Sequence, residues 1–286
     1  MSPKFALTHR RSEHIIRYAT MTLAALAFFF PLFFLISGSL MNVADVSSYP
    51  PKIFPPGLHL HFENYKVALD YLSVRIIMNS FIFTMGILIL QLILSLCAGF
   101  ALAKIPFRYA GFIVGLFAVP MFLPTNVSII PLFIVTFKLG LLNTWPGMIL
   151  PIVGSTAFGT LLFRQFFVNF PSSLIEAAII DGASWPRVLL QIVIPLSKPP
   201  MASYAAITFL TAWNMYVWPL LIGTKDSLRV LTVQLAPLVL GGGSFYAHTT
   251  ANVVYAASVI SCIPVLAVFI LAQKWFINAI TGTGQD

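Results

Sequence analysis

The gaps between charged residues constrain this chain more than any other feature. Its 286 residues carry only 16 Lys and Arg and 8 Asp and Glu. These leave charge-free runs at 18–44, 76–103, 109–137, 139–163, 199–224 and 230–273. A helix needs about 20 apolar residues to cross a hydrocarbon core of roughly 30 Å. Each of the first five runs, 25 to 29 residues long, therefore holds one crossing. The sixth contains Gly241, Gly242 and Gly243, which interrupt a helix, so a loop up to about Ala251 and one span from Asn252 to Gln273 are expected. The reading is an all-α membrane protein, a single transmembrane domain over 1–286. Its spans are expected at about 18–40, 78–103, 109–137, 143–166, 201–222 and 252–275. With 59% apolar and 8% charged residues, against roughly 25% charged in soluble domains, a water-soluble globule is excluded.

Six spans put both termini on one side. That side holds ten Lys and Arg (Lys4, Arg10, Arg11, Arg17, Lys104, Arg108, Arg164, Arg187, Lys198, Lys274), against six on the other. The split places the termini in the cytoplasm. The net charge of +8 then reads as a topology signal and as attraction to lipid headgroups. Without a basic-aromatic cluster, it does not argue for nucleic acid. The first apolar run exceeds the 7–15 residues of a signal peptide, so it is expected to be retained. Cys97 and Cys262 stand alone in apolar runs, which excludes disulfide frameworks and structural zinc and predicts buried, inert thiols. The outer loop 42–75 is interrupted by Pro50, Pro51, Pro55 and Pro56, which forbid a long helix there. Its His59 and His61 lack a third ligand and are read as loop histidines, so no metal site is assigned.

None of the expected spans has Asp, Glu, Lys, Arg or His in its interior. An ion-coupled carrier keeps such costly groups in the bilayer for function, and an intramembrane enzyme needs paired carboxylates or a supported nucleophile. No catalytic residue is assigned. The chain also lacks the Gly-rich phosphate loop ending in Gly-Lys-Ser/Thr, so any ATP is bound by another subunit. Polar residues do recur at helical spacing. Tyr204, Thr208, Thr211, Asn214 and Trp218 are 4, 3, 3 and 4 apart, placing them on one helix face. Thr84, Gln91 and Ser95 form a second line, and Asn252, Tyr255 and Ser258 a third. Such stripes either line a path for a hydroxyl-rich solute or hold helices together in lipid. Pro120, Pro124 and Pro131 predict an interrupted third span, near the bundle interior where freed backbone groups find partners.

The cytoplasmic loop 171–196 reads as two short helices. Ser173 and Glu176 have capping-box spacing, Asp181-Gly182 supplies a stop, Ser184 suits a second cap and Pro195 an end. Within it, Glu176-Ala177-Ala178, Asp181-Gly182-Ala183 and Ile194-Pro195-Leu196 closely resemble the EAA loop of permease subunits of binding-protein-dependent ABC importers. Phe163-Arg164-Gln165-Phe166-Phe167 and Trp213-Asn214 with Tyr216, Trp218, Pro219 and Leu220 resemble the carbohydrate-uptake branch, the maltose-type second permease. Glycerol-phosphate permeases share these features. The resemblance runs over essentially the whole chain.

That resemblance implies a permease of a bacterial or archaeal inner membrane, importing a sugar or sugar-like solute. Its implied partners are a second permease, two ATPase subunits that bind ATP and magnesium, and an extracytoplasmic solute-binding protein. The first loop helix would dock on the ATPase. Glu176 would pair with a basic residue there, Ala177 and Ala178 would permit close approach, and Gly182 would make the turn. The outer loop 224–251, with Gly241 to Ser244, lies where relatives probe the binding protein, a simple flexible connector being the alternative. The tail Trp275 to Gly282 resembles the family's but lacks its basic and glycine residues at Asn278 and Ala279. A stand-alone secondary solute carrier is the alternative.

Overall fold

The computed structural model describes residues 3–240 and 250–281, so Gly241 to Ser244 and the last tail residues lie outside it. No strand occurs among the described residues. The helices in chain order are α1 (Pro3–Ser39), α2 (Glu63–Lys104), α3 (Ala110–Ala118), α4 (Thr125–Lys138), α5 (Trp145–Val153) and α6 (Ala157–Val168). They continue as α7 (Ser172–Ile180), α8 (Trp185–Leu196), α9 (Lys198–Trp213), α10 (Val217–Ile222), α11 (Leu231–Leu240) and α12 (Ala251–Thr281). Short turns fill several of the gaps.

Among the described residues, three helical stretches are long and apolar enough to cross a membrane singly: Ile16–Ser39, Glu63–Lys104 and Ala251–Lys274. Two bent pairs meet the same criterion together. Ala110–Phe122 and Val127–Lys138 meet at 107°, and Trp145–Val153 and Ala157–Val168 at 45°. The expected spans 109–137 and 143–166 fall on these pairs. The interruption in the first pair follows from proline chemistry. A 3₁₀ turn at Val119–Phe122 carries Pro120, and Pro124 stands at the N-cap of α4, neither offering an N–H to the preceding turn. The expected span 201–222 is likewise divided. The 16 residues of α9 rise only about 24 Å, and α10 follows a non-helical step at 214–216.

Several expectations are corrected. Helical residues begin at Glu63, ahead of the span expected from 78, and a non-helical Ser73 (φ 48°, ψ 149°) separates this first piece from the long stretch that runs to Lys104. Part of the loop expected before Ala251 is the helix α11. Cys97 is exposed and Cys262 half-buried, since each falls on a helix face that this chain does not cover. The broken third span is not interior to this chain. Val119, Met121, Phe122 and Leu123 are exposed, Phe122 to 85%.

The chain divides into two compact units, Met1–Leu72 with Pro237–Cys262, and Ser73–Ala236 with Ile263–Asp286. Each boundary falls on irregular backbone. Ser73 sits inside α2 at φ 48°, a region L residues rarely adopt, and Pro237 and Pro264 interrupt the hydrogen-bond ladders of α11 and α12.

The first unit is held by a buried polar knot. Asn64 Nδ2 donates to the carbonyls of Ser39 (2.8 Å) and Met41 (2.9 Å), and its Oδ1 accepts from Asn252 Nδ2 at 2.8 Å. The Tyr255 ring occupies the space that a side chain at Gly38 would need. α1 from Ile16 to Pro31 is uncovered throughout.

Among its described residues, the second unit has two apolar cores. One joins Phe83 and Ile87 of α2 to Met148 of α5 and Trp218 of α10. The other gathers Phe100, Phe163 and Phe167 beneath α7 and α8. Without a hydrophobic drive between helices in lipid, close backbone approach supplies the packing energy. Gly159 of α6 lies so near Ser95 and Tyr204 that a Cβ there would overlap both side chains. Gly111, by contrast, has open space around it. Gly159→Val is expected to cost about 2 kcal/mol by overpacking and to lower the thermal midpoint of the purified protein in detergent. Gly111→Ala should leave that midpoint unchanged.

Candidate functional site

The loop 171–196 forms a rigid elbow. α7 starts directly after Pro171, which makes no side-chain cap, and Ser173 is already the second helical residue. The predicted capping box is therefore absent, because Glu176 is too far into the helix to reach back. The entry is fixed from outside the loop instead. Lys104, the last residue of α2, donates from Nζ to the Phe170 carbonyl at 2.8 Å and to Ser172 Oγ at 3.1 Å. At the other end, Gly182 N–H bonds the Ile179 carbonyl (3.0 Å) and Ala183 N–H bonds the Ala178 carbonyl (2.9 Å). This paired arrangement is a Schellman motif, and it needs the left-handed φ of 82° that Gly182 adopts.

The second arm, α8, opens at Ser184, which holds the cap position in extended geometry without a side-chain hydrogen bond. It widens into a π-turn at Leu189–Val193, where Ile194 N–H bonds the Leu189 carbonyl. That widening clears the ring of Pro195, and the helix runs on to Leu196.

The elbow has two faces. Ile175 and Ala178 are buried in the phenylalanine cluster, with Ala183 and Ile194 partly buried against it. Trp185 packs edge-on against Phe100 at 6.1 Å, and Phe100 against Phe167 at 5.8 Å. Glu176, Ala177, Asp181, Gly182 and Pro195 are exposed. Ile180, 86% exposed, stands between the two carboxylates in sequence, flanked by exposed Leu174 and Ile179. An apolar knob with two carboxylates on a fixed helix is suited to insertion into a basic-rimmed apolar cleft.

The polar stripe of the expected fifth span does not stay on one face. Tyr204 is buried, its hydroxyl 3.2 Å from Ser95 Oγ. Thr208 is buried as well. Thr211 and Asn214 are exposed and donate to their own helix, to the Ile207 carbonyl at 2.9 Å and the Leu210 carbonyl at 2.8 Å. Trp218 lies beyond the break on α10, buried, with its indole N–H donating to the Met148 carbonyl at 2.9 Å. The helix simply ends at Trp213, so periodicity counted across 214–216 has no meaning. On α2, Thr84 is fully buried with its hydroxyl unpartnered, and Gln91 Nε2 donates to the Ile152 carbonyl at 2.8 Å. The third stripe also packs: Asn252 joins the knot described above, and Ser258 donates to the Val254 carbonyl.

A cleft of about 300 Å³ opens where the interrupted helices meet. Pro120 and Ser128 come from one break, Pro151 and Ser155 from the next, Tyr216 and Trp218 from the third. Interrupted helices free main-chain groups, tolerated in membranes where protein or a water-filled cavity satisfies them, and here Gln91 donates to the Ile152 carbonyl and Thr232 to that of Met215.

Sequence reasoning missed the tether made by Lys104, which served only as a span boundary and a topology charge, because its partner lies 66 residues away. It also gave Trp185 no contact, and it read a break in the third span alone, from Pro120, Pro124 and Pro131. Pro120 and Pro151, in separate apolar runs, were the available signal.

The chain matches the family model "Binding-protein-dependent transport system inner membrane component" over residues 92–282. It is 30% identical to the sn-glycerol-3-phosphate transport system permease protein UgpE of Brucella abortus (strain 2308), covering 97% of this chain and 99% of that protein. UgpE of Rhizobium meliloti (strain 1021) is 31% identical, covering 96% and 98%. Among solved structures, a bacterial ABC transporter that imports the acidic polysaccharide alginate matches with a TM-score of 0.83 at 26% identity, covering 93% of this chain and 97% of that one. With its helical fold, its elbow and its broken spans, this chain belongs to the inner-membrane components of binding-protein-dependent transport systems.

Proposed function

We propose that this chain is one of two permease subunits of an ATP-driven importer for a sugar or sugar-like solute, driven through the 171–196 elbow by separate ATPase subunits. The observation that carries the reading is the elbow's division into a face fixed to the bundle and a free face bearing Glu176, Ala177 and Ile180. ATP and magnesium belong to the ATPase subunits, a second permease completes the path, and a solute-binding protein delivers the cargo. The relatives' names support this assembly, and the uncovered α1 suits a chain with a neighbour in the membrane. The chain itself makes and breaks no covalent bond. Its place is a bacterial or archaeal inner membrane, with both termini and the elbow in the cytoplasm.

Motion passes by rigid contact. Closure of the ATPase pair displaces α7, and because α7 packs without slack on the phenylalanine cluster, the displacement reaches α2, α6 and α9 together. Lys104 ties the entry of α7 to the end of α2, so that helix is pulled as well as pushed. ATP binding then favours the outward-facing arrangement, and product release resets it.

In the assembled importer, Glu176→Lys should abolish solute-stimulated ATP hydrolysis while membrane insertion and subunit assembly persist. Unchanged stimulation would remove the elbow from the coupling role. Lys104→Met should raise amide hydrogen exchange across 170–176 and lower the transport yield per ATP several-fold, with the spans' exchange unaltered. If both quantities match the parent protein, the tether has no part in transmission.

A further inference from the structure

Among the described residues, those lining the cleft between the interrupted helices include no ionisable cation or carboxylate. Its polar equipment is the hydroxyls of Ser128 and Ser155 and the phenol of half-buried Tyr216. Trp218 adds an apolar wall, because its indole N–H is already committed to the Met148 carbonyl. The basic residues of the neighbouring helices stand elsewhere: Lys138 ends α4, Lys198 begins α9, and Arg164 lies in the second half of α6. None of them lines the cavity.

An anion leaving water for such a place has no counter-charge and few donors, and that transfer is strongly disfavoured. A neutral polyol loses far less. Its hydroxyls both donate and accept, matching serine and tyrosine hydroxyls, while its C–H faces suit an indole wall. A volume of about 300 Å³ is at the small end of ligand pockets, the scale of a sugar unit and not of a long chain.

We propose that the solute meeting this cleft is an electrically neutral, hydroxyl-rich molecule, and that the cleft discriminates against phosphorylated and carboxylated analogues. This separates the chain from the glycerol-3-phosphate and alginate systems named for its relatives, and it rests on the importer reading above.

Charged and neutral thiol reagents test this without knowledge of the cargo. Cys97 and Cys262 are replaced by alanine, and Ser155→Cys is introduced into the complete importer in membranes. Neutral hydrophilic, anionic and cationic methanethiosulfonates are then applied with and without ATP, and each rate is taken relative to a free thiol in water. The neutral reagent should react readily and the anionic one at least tenfold more slowly. Adding Ser128→Lys should recover about tenfold of the anionic rate. Ser128→Cys in place of Ser155→Cys gives the same comparison should the first variant not assemble. Equal neutral and anionic rates would overturn the proposal, as would failure of every reagent in both nucleotide states. If ATP alters the rates while neutral and anionic reagents react alike, the importer reading stands and this inference alone falls. Rates indifferent to ATP would overturn the importer reading and the inference with it.

Discussion

The seating of Ile175 and Ala178 in the phenylalanine cluster is the contact on which the rest depends. It turns a surface loop of a membrane protein into a part that cannot move alone. A loop normally runs over the surface with few packed contacts and yields to any force applied to it. Here two buried side chains one helical turn apart, a Schellman closure and an external lysine remove that compliance. The free face, with Glu176 and Ile180, is then presented at a fixed angle. Everything proposed for transmission follows from that stiffness.

The spans obey a different economy. Between helices in lipid there is little to gain from apolar burial as such, and the contacts that matter are close backbone approaches and buried amide or hydroxyl bonds. Gly159 against Ser95 and Tyr204, Gln91 against the Ile152 carbonyl and Asn64 against Asn252 are instances in three places. This resolves much of the ambiguity of the polar stripes. Tyr204, Gln91 and Asn252 tie helices together, and Trp218 walls the cleft beside residues set by prolines and helix ends.

What was legible in the sequence divides along the same line. Charge-free runs located the apolar segments, because the cost of a charge in lipid is high and leaves few exceptions. The elbow was legible because Gly182 and the flanking prolines act locally, through main-chain geometry. The capping box failed since spacing alone does not say where a helix begins. Here it begins at Ser172, two residues too early for Ser173 to cap it. The five-residue stripe failed for the related reason that a 3.6-residue period was carried across the break after Trp213. Lys104 and Trp185 were out of reach, since each owes its role to a partner distant in sequence, and a single chain carries no record of that pairing.

The lysine tether has a built-in asymmetry. Its principal acceptor is the main-chain oxygen of residue 170, and no amino-acid replacement there deletes a peptide carbonyl. Drift on the receiving side is thus forgiven, whereas the donating side has one atom and no substitute. Selection to keep the attachment would fall almost wholly on position 104, leaving residue 170 free to answer to packing alone.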